Sequence, residues 1–237
     1  ILFAGHSERY SKQKNDPELH PALLEELCEW QYDAVAFYER PWMHNLQQLY
    51  TGQRKLGPWT TRGALRRYLG SWYKTPARFE QSYPHHLSHA AAGFQTSTFD
   101  RATVVVIDAI GEFDTVTIWG AEYVDGRAVY KRLWSQQYPH SIGLFYSAIT
   151  KRIGLKPMEE EYITMGMSAY GSDGYRYAGP MWEQLVKNTY NVEFRENLHI
   201  GTDGDFLRDA DIMDIACSAQ HVVEYLIKFV MAKARYL

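Results

Sequence analysis

The stretch Pro84-His-His-Leu-Ser-His-Ala-Ala-Ala-Gly-Phe94, followed after a short gap by Ala102-Thr-Val-Val-Val-Ile-Asp108, sets a helix directly before a strand. Residues 85–95 are good helix formers. On a helix, His85 and His89 stand four apart on one face, where two imidazoles can close on a single metal ion. The run 102–108 is β-branched, reads as a strand and ends in Asp108, whose carboxylate can join the same ion. The small face Ala90-Ala-Ala-Gly93 lets the helix approach a neighbour closely. A single helical histidine usually sits half-exposed or satisfies one hydrogen bond. Three within five residues favour metal ligation, with His86 turned away from the pair and either supporting the ligands from behind or structural.

Beyond Asp108 the chain reads Asp108-Ala-Ile-Gly-Glu-Phe-Asp-Thr115. A strand ending in Asp, a glycine turn and a returning Thr is a layout that cradles phosphates on backbone N–H groups. Taken alone, the commoner reading is a plain β-hairpin. Strands are expected at 102–108, 114–123 and 127–138, the last two joined by Asp125-Gly126, a type I′ signal. Ser141 should cap a helix to Ile153 that Gly154 ends. Residues 159–170 read as helical, Gly171 to Gly179 as a tyrosine- and glycine-rich loop, and 180–190 as a helix. Asp211 starts a helix that runs to the end.

Toward the amino terminus, Ile1 to Gly5 looks like a strand under way. Pro17 to Trp30 has helical period after the cap chemistry of Asn15-Asp16, and Ala34 to Tyr38 is a short strand. Residues 41–72 hold two aromatic-rich helical stretches split by Gly57-Pro58. Hairpins mixed with helices define an α/β domain with a mixed sheet. Two segments keep a bland reading on residues alone. Ser7-Glu-Arg-Tyr-Ser-Lys-Gln-Lys14 reads as a solvated loop, with an anion contact as the alternative. Met165-Gly-Met-Ser-Ala-Tyr-Gly171 reads as a helix end with Gly171 in the C′ position.

The 237 residues suffice for one large domain or two small ones. A net charge of −3 gives no basic footprint for nucleic acid and no polybasic membrane patch. No apolar run approaches a membrane span and no signal peptide is visible, so a membrane partner is not expected. Two distant cysteines, Cys28 and Cys217, make no disulfide framework and fit a reducing, cytoplasmic setting. The chain opens without Met and stops after an uncapped helical pattern, and it is expected to be a piece of a longer protein.

In order, Ser7–Lys14, His85-His-Leu-Ser-His-Ala90, Ile107-Asp-Ala-Ile-Gly-Glu112, Ser141-Ile-Gly-Leu-Phe-Tyr-Ser147, Glu161-Tyr-Ile-Thr-Met-Gly-Met-Ser-Ala-Tyr-Gly171 and Ala216-Cys-Ser-Ala-Gln220 resemble the carbamoyltransferase family of nodulation-factor and antibiotic O-carbamoyltransferases. A more distant resemblance reaches the tRNA threonylcarbamoyl transferases, which share the His-x-x-x-His helix. The resemblance implies an actin-like ATPase fold of ribonuclease-H-like halves. Residues 1–140 would be the first half, with a helical insertion near 41–75, and residues 141–237 the start of the second. The Trp, Tyr and Arg content of 41–75 reads more readily as packing within the helical subdomain, with an acceptor-facing segment as the alternative. A separate adenylate-forming domain would lie beyond the carboxyl end.

It further implies a divalent metal, iron(II) in the family, held by His85, His89 and Asp108, with a fourth acidic ligand beyond Leu237. Carbamoyl phosphate and ATP would give a carbamoyl-adenylate, whose carbamoyl group moves to a hydroxyl of a small-molecule acceptor. Lys14 and Glu112 are the candidate catalytic residues. Asp108, Gly111, Thr115 and Gly166 are the candidate nucleotide contacts. The chain departs from the family pattern at Ala109 (usually Gly), at Ile163 (usually Lys) and at Met167-Ser-Ala169 (usually Leu-Ala-Pro). Two other functions stay open: a threonylcarbamoyl transferase acting on tRNA, and a non-catalytic nucleotide- or metal-binding module.

Overall fold

The computed structural model describes residues 4–13, 19–28, 33–70 and 79–237, which form two compact units, 1–88 and 89–237. In the first, helices α1 (Ser7–Ser11) and α2 (Pro21–Cys28) precede strand β1 (Ala34–Phe37), helices α3 (Pro41–Tyr50) and α4 (Thr61–Leu69), and strand β2 (Phe79–Ser82). The two strands pair in parallel, Ala34 opposite Phe79 and Phe37 opposite Ser82. A parallel pair needs a long crossover, and the helical segment supplies it. Phe37, Ala64 and Leu65 make a small core with Val35 and Tyr68 packed on it.

Between the two helices, Gly57-Pro58 breaks the period as the sequence requires. Fully buried Asn45 holds this break: its amide nitrogen donates to Gly57 O (3.0 Å) and Pro58 O (3.2 Å), and its oxygen accepts from Gly57 N (2.8 Å). Helix α3 is inside out. It buries Asn45, Gln47 and Gln48 while exposing Trp42, Leu46, Leu49 and Tyr50. Among the described residues 41–70, Tyr68 is packed on the small core, whereas Trp42, Tyr50 and Trp59 are exposed; the rest of 41–75 lies outside the described residues. Ser7–Ser11 is a short helix rather than an open loop, ended by Lys12 in the left-handed region (φ 58°). Ala4 and Gly5 are not in a strand, and Lys14, Asn15 and Asp16 lie outside the described residues.

Helix α5 spans His85–Gln95. In the second unit its buried Phe94 stacks on Tyr123 (5.2 Å between centroids) and meets Tyr130 edge-on (5.9 Å). Those tyrosines belong to an antiparallel meander of β3 (Arg101–Gly111), β4 (Asp114–Val124) and β5 (Arg127–Gln137). Asp125 (φ 50°) and Gly126 (φ 72°) close the second hairpin with two positive φ values, as a type I′ turn demands.

Helix α6 (Ile142–Arg152) starts where expected, Ser141 Oγ accepting from Leu144 N (3.1 Å). Then come α7 (Glu161–Ser168), α8 (Ala178–Leu185), a short hairpin of β6 (Val186–Asn188) and β7 (Glu193–Phe194), and α9 (Ile212–Tyr236). The expected helix 180–190 stops at Leu185 because Val186 leaves it to pair with Phe194. The expected mixed sheet is also corrected: parallel and antiparallel pairings occupy separate sheets among the described residues.

One core joins Val116 and Ile118 of β4, Phe145 and Ile149 of α6, Met181 of α8, Phe194, and Ile215, Ala219, Val222, Leu226 and Val230 of α9. The last helix, capped by Asp211 at Met213 N and Asp214 N, is long and apolar enough to cross a membrane by length and composition, contrary to the sequence expectation. Its apolar stripe is instead the one that this core buries. Near its end, buried Lys233 places Nζ 3.9 Å from the Trp134 ring and 4.0 Å from the Tyr190 ring, so cation–π attraction offsets its desolvation.

The Gly171–Tyr177 loop lies directly on α9. A Cβ at Gly171 would fall 2.4 Å from Cys217 Cβ and 2.7 Å from Met213 O, so the loop requires glycine there. Buried Asp214 ties the loop down by accepting from Ser172 N (2.7 Å), Ser172 Oγ (2.8 Å) and Arg176 Nη1 (3.2 Å). Gly171→Ala should cost about 1–3 kcal/mol by overpacking. Gly166→Ala, on an exposed helical face with open space, should be neutral or gain up to about 1 kcal/mol. Urea denaturation of both variants checks the pair.

The Ser172 hydrogen bonds hold the Asp214 carboxyl below the usual carboxylate range, against burial. The stabilisation is thus complete above the unfolded value of about 3.9 and lost as pH falls through the lower folded value. Asp214→Asn should destabilise at neutral pH and progressively less in acid, as denaturant midpoints measured across that range will report.

Candidate metal centre

Helix geometry alone stacks His85 one turn before His89 on the same face of α5. His86, one residue round, is 1% exposed. Strand β3 brings Asp108 beside the helix, with His89 Nε2 3.9 Å from Asp108 Oδ2. Donor atoms of His85, His89 and Asp108 all lie within 4.8 Å of one another.

Asp108 is not the end of its strand. Ile107 pairs with Val116 and Gly111 with Asp114, so Asp108, Ala109 and Ile110 together face the single residue Thr115. The excess makes a bulge, a device that re-aims side chains. Several contacts lock it. Asp108 Oδ1 accepts from Ala109 N (2.7 Å), and Ser141 Oγ donates to Asp108 O (3.2 Å). One residue into α6, Gly143 sits so close that a Cβ there would lie 2.8 Å from Ala109 Cα and 2.9 Å from Ala109 N. Ser141 and Gly143 therefore do two jobs: they start α6 and press its first turn onto the bulge.

The other residues singled out from sequence are placed differently. Thr115 is fully buried, and its hydroxyl faces the carbonyls of His140 (2.5 Å) and Gln136 (3.2 Å), so it supports the bulge rather than offering a phosphate contact. Gly111 closes the β3–β4 ladder. The two-residue turn is made by Glu112 (φ 60°, 6% exposed) and Phe113, which is a tight hairpin and not an open cradle. Gly166 lies on the exposed face of α7. Lys14 is outside the described residues.

Sequence reasoning missed Glu39. Its Oε2 lies 3.6 Å from His85 Nδ1 and 3.4 Å from His44 Nδ1. Burial pushes this carboxyl up, but hydrogen bonding and charge from His44 and His85 outweigh it and hold the value at about 2. No pattern in Tyr38-Glu39-Arg40 marks the residue, since its role exists only once the chain between β1 and α5 has folded.

Two imidazoles and one carboxylate are the donor set of non-haem Fe(II) sites and are also common for Zn(II). Metal–ligand bonds of about 2.0–2.2 Å bring donors to roughly 3–3.5 Å from each other, so the observed spread needs only small side-chain rotations. The residues fit a divalent ion with open positions.

The α/β chain thus sets a His-x-x-x-His helix against a carboxylate-bearing strand. Residues 49–227 match the Carbamoyltransferase N-terminus family, and the chain belongs to it. It is 27% identical over 183 residues to nodulation protein NolNO of Sinorhizobium fredii, covering 72% of this chain and 26% of that protein. Nodulation protein NolO of Bradyrhizobium diazoefficiens is 36% identical over 110 residues, 46% of this chain and 19% of its own length. An uncharacterised protein of Synechocystis sp. is 41% identical over 114 residues, 48% of this chain and 18% of its own. The chain thus spans about a quarter or less of these relatives.

Co(II) titration followed by visible absorption should give one bound equivalent in the metal-free protein. His89→Ala and Asp108→Ala should each weaken binding at least tenfold, and His199→Ala should leave it unchanged.

Proposed function

We propose that this chain carries the metal-assisted transfer centre of an O-carbamoyltransferase. The observation behind the reading is the convergence of His85, His89 and Asp108 within a chain that belongs to the Carbamoyltransferase N-terminus family. In this reading the wider fold is an actin-like pair of ribonuclease-H-like halves, residues 1–140 belonging to the first and 141–237 to the second. Carbamoyl phosphate and ATP yield a carbamoyl-adenylate in another domain of the whole protein. An acceptor hydroxyl then attacks the carbamoyl carbon. A new C–O bond forms, the bond to the adenylate oxygen breaks, AMP leaves, and the hydroxyl proton passes to a base.

When bound, a divalent cation such as Fe(II) supplies Lewis-acid stabilisation of negative charge on the carbonyl or phosphate. The chain's own residues supply position. Helix α5 fixes two donors, and the bulge clamped by Ser141 and Gly143 fixes the third. Glu112, held at the hairpin beside the bulge, is the candidate proton acceptor, and Lys14 the candidate positive charge. The net charge of −3 favours a small acceptor over tRNA.

The test uses the full-length protein with ATP, carbamoyl phosphate and a panel of sugar, nucleoside and polyketide alcohols. Mass spectrometry should find one added carbamoyl group on an acceptor, and the His85→Ala/His89→Ala double variant should lose the product. Transfer that survives the double variant, or a product found only on tRNA, contradicts the reading.

A further inference from the structure

Glu39 sits in the turn that follows β1, with its side chain only 12% exposed, and the Nδ1 atoms of His44 and His85 lie 3.4 and 3.6 Å from its Oε2. His44 comes from α3 and His85 from the first turn of α5. The Tyr38 ring packs edge-on against the His85 ring, with centroids 5.5 Å apart and planes at 74°, and Tyr38 in turn rests on the core residue Phe37. The Nδ1 edge of His85 thus faces a carboxylate at 3.6 Å, and the Tyr38 ring packs against the same imidazole. A buried carboxylate is costly unless it is compensated, and two imidazoles compensate this one.

An imidazole whose Nδ1 is engaged by an acceptor has only Nε2 left to offer as a donor. Carboxylate–histidine contacts of this kind fix both the tautomer and the orientation of a metal-bound ring. We infer that Glu39 is the positioning residue of the metal centre: its carboxylate faces His85 Nδ1 at 3.6 Å, a charge contact longer than a hydrogen bond, and favours the Nδ1–H tautomer so that Nε2 is the atom presented to the ion, while His44 steadies the same carboxylate from α3. The inference rests on the metal reading of His85, His89 and Asp108. It gives the helical segment after β1 a function, because that segment orients a metal ligand through Glu39 and His44.

Two measurements test it. Long-range ¹H–¹⁵N correlation on the metal-free protein, at a pH where imidazoles are neutral, should find His85 protonated at Nδ1 and bare at Nε2. Co(II) affinity should fall by about tenfold in Glu39→Gln, whose amide oxygen is a weaker acceptor, and by about 100-fold in Glu39→Ala. Binding should remain at one equivalent in both. A His85 ring protonated at Nε2 in the unaltered protein overturns the inference, whether or not the variants fold. Folded Glu39 variants that bind Co(II) as tightly as the unaltered protein overturn it as well. If the unaltered protein binds no Co(II) at all, the metal reading itself fails, which the two Glu39 outcomes cannot mimic.

Discussion

Three residues of one strand facing one residue of its neighbour is the constraint on which the site depends. Asp108, Ala109 and Ile110 exceed what β4 can pair with, and the sheet absorbs the excess in a bulge. A bulge left alone would expose unpaired backbone groups, so it needs partners. Opposite it, Thr115 buries its hydroxyl on the His140 carbonyl; on the bulge itself, Ser141 donates to the Asp108 carbonyl, and Gly143 lets α6 approach the Ala109 backbone within contact distance. The same residues that start a helix thereby aim a carboxylate. This is why the Ser141-Ile-Gly143 segment and Asp108, distant in sequence, behave as one structural unit.

Much of this was legible in the sequence where local chemistry decides structure. The histidine helix, the Asp125-Gly126 turn, the Ser141 cap and the Asp211 cap all follow from side chains acting on their own backbone neighbourhood. The pairing of His85 with His89 follows from the pitch of a helix. Asp108 was recognisable as a ligand candidate because a β-branched run led to it, although the strand continues past it.

What the sequence concealed depends on tertiary partners. The bulge is invisible because strand propensity does not reveal register, and Thr115 looked like a phosphate contact for the same reason. Glu39 and His44 carry no motif, and only folding brings them to His85. Helix α3 defeats periodicity from the other side: its apolar stripe faces outward and its amides inward, so the hydrophobic pattern points away from the face that packs. Helix 180–190 was overextended because Val186 prefers a ladder partner, and propensity cannot see Phe194.

Joint binding of one ion by His85, His89 and Asp108 is the proposal on which the chemistry of the site rests. X-ray absorption fine structure of the Fe(II)-loaded full-length protein tests it most directly, because imidazole rings scatter characteristically beyond the first shell and can be counted. Two imidazoles should be counted in the unaltered protein, falling to one in either His85→Ala or His89→Ala. A shell of oxygen donors alone, or an imidazole count that neither substitution changes, would contradict it.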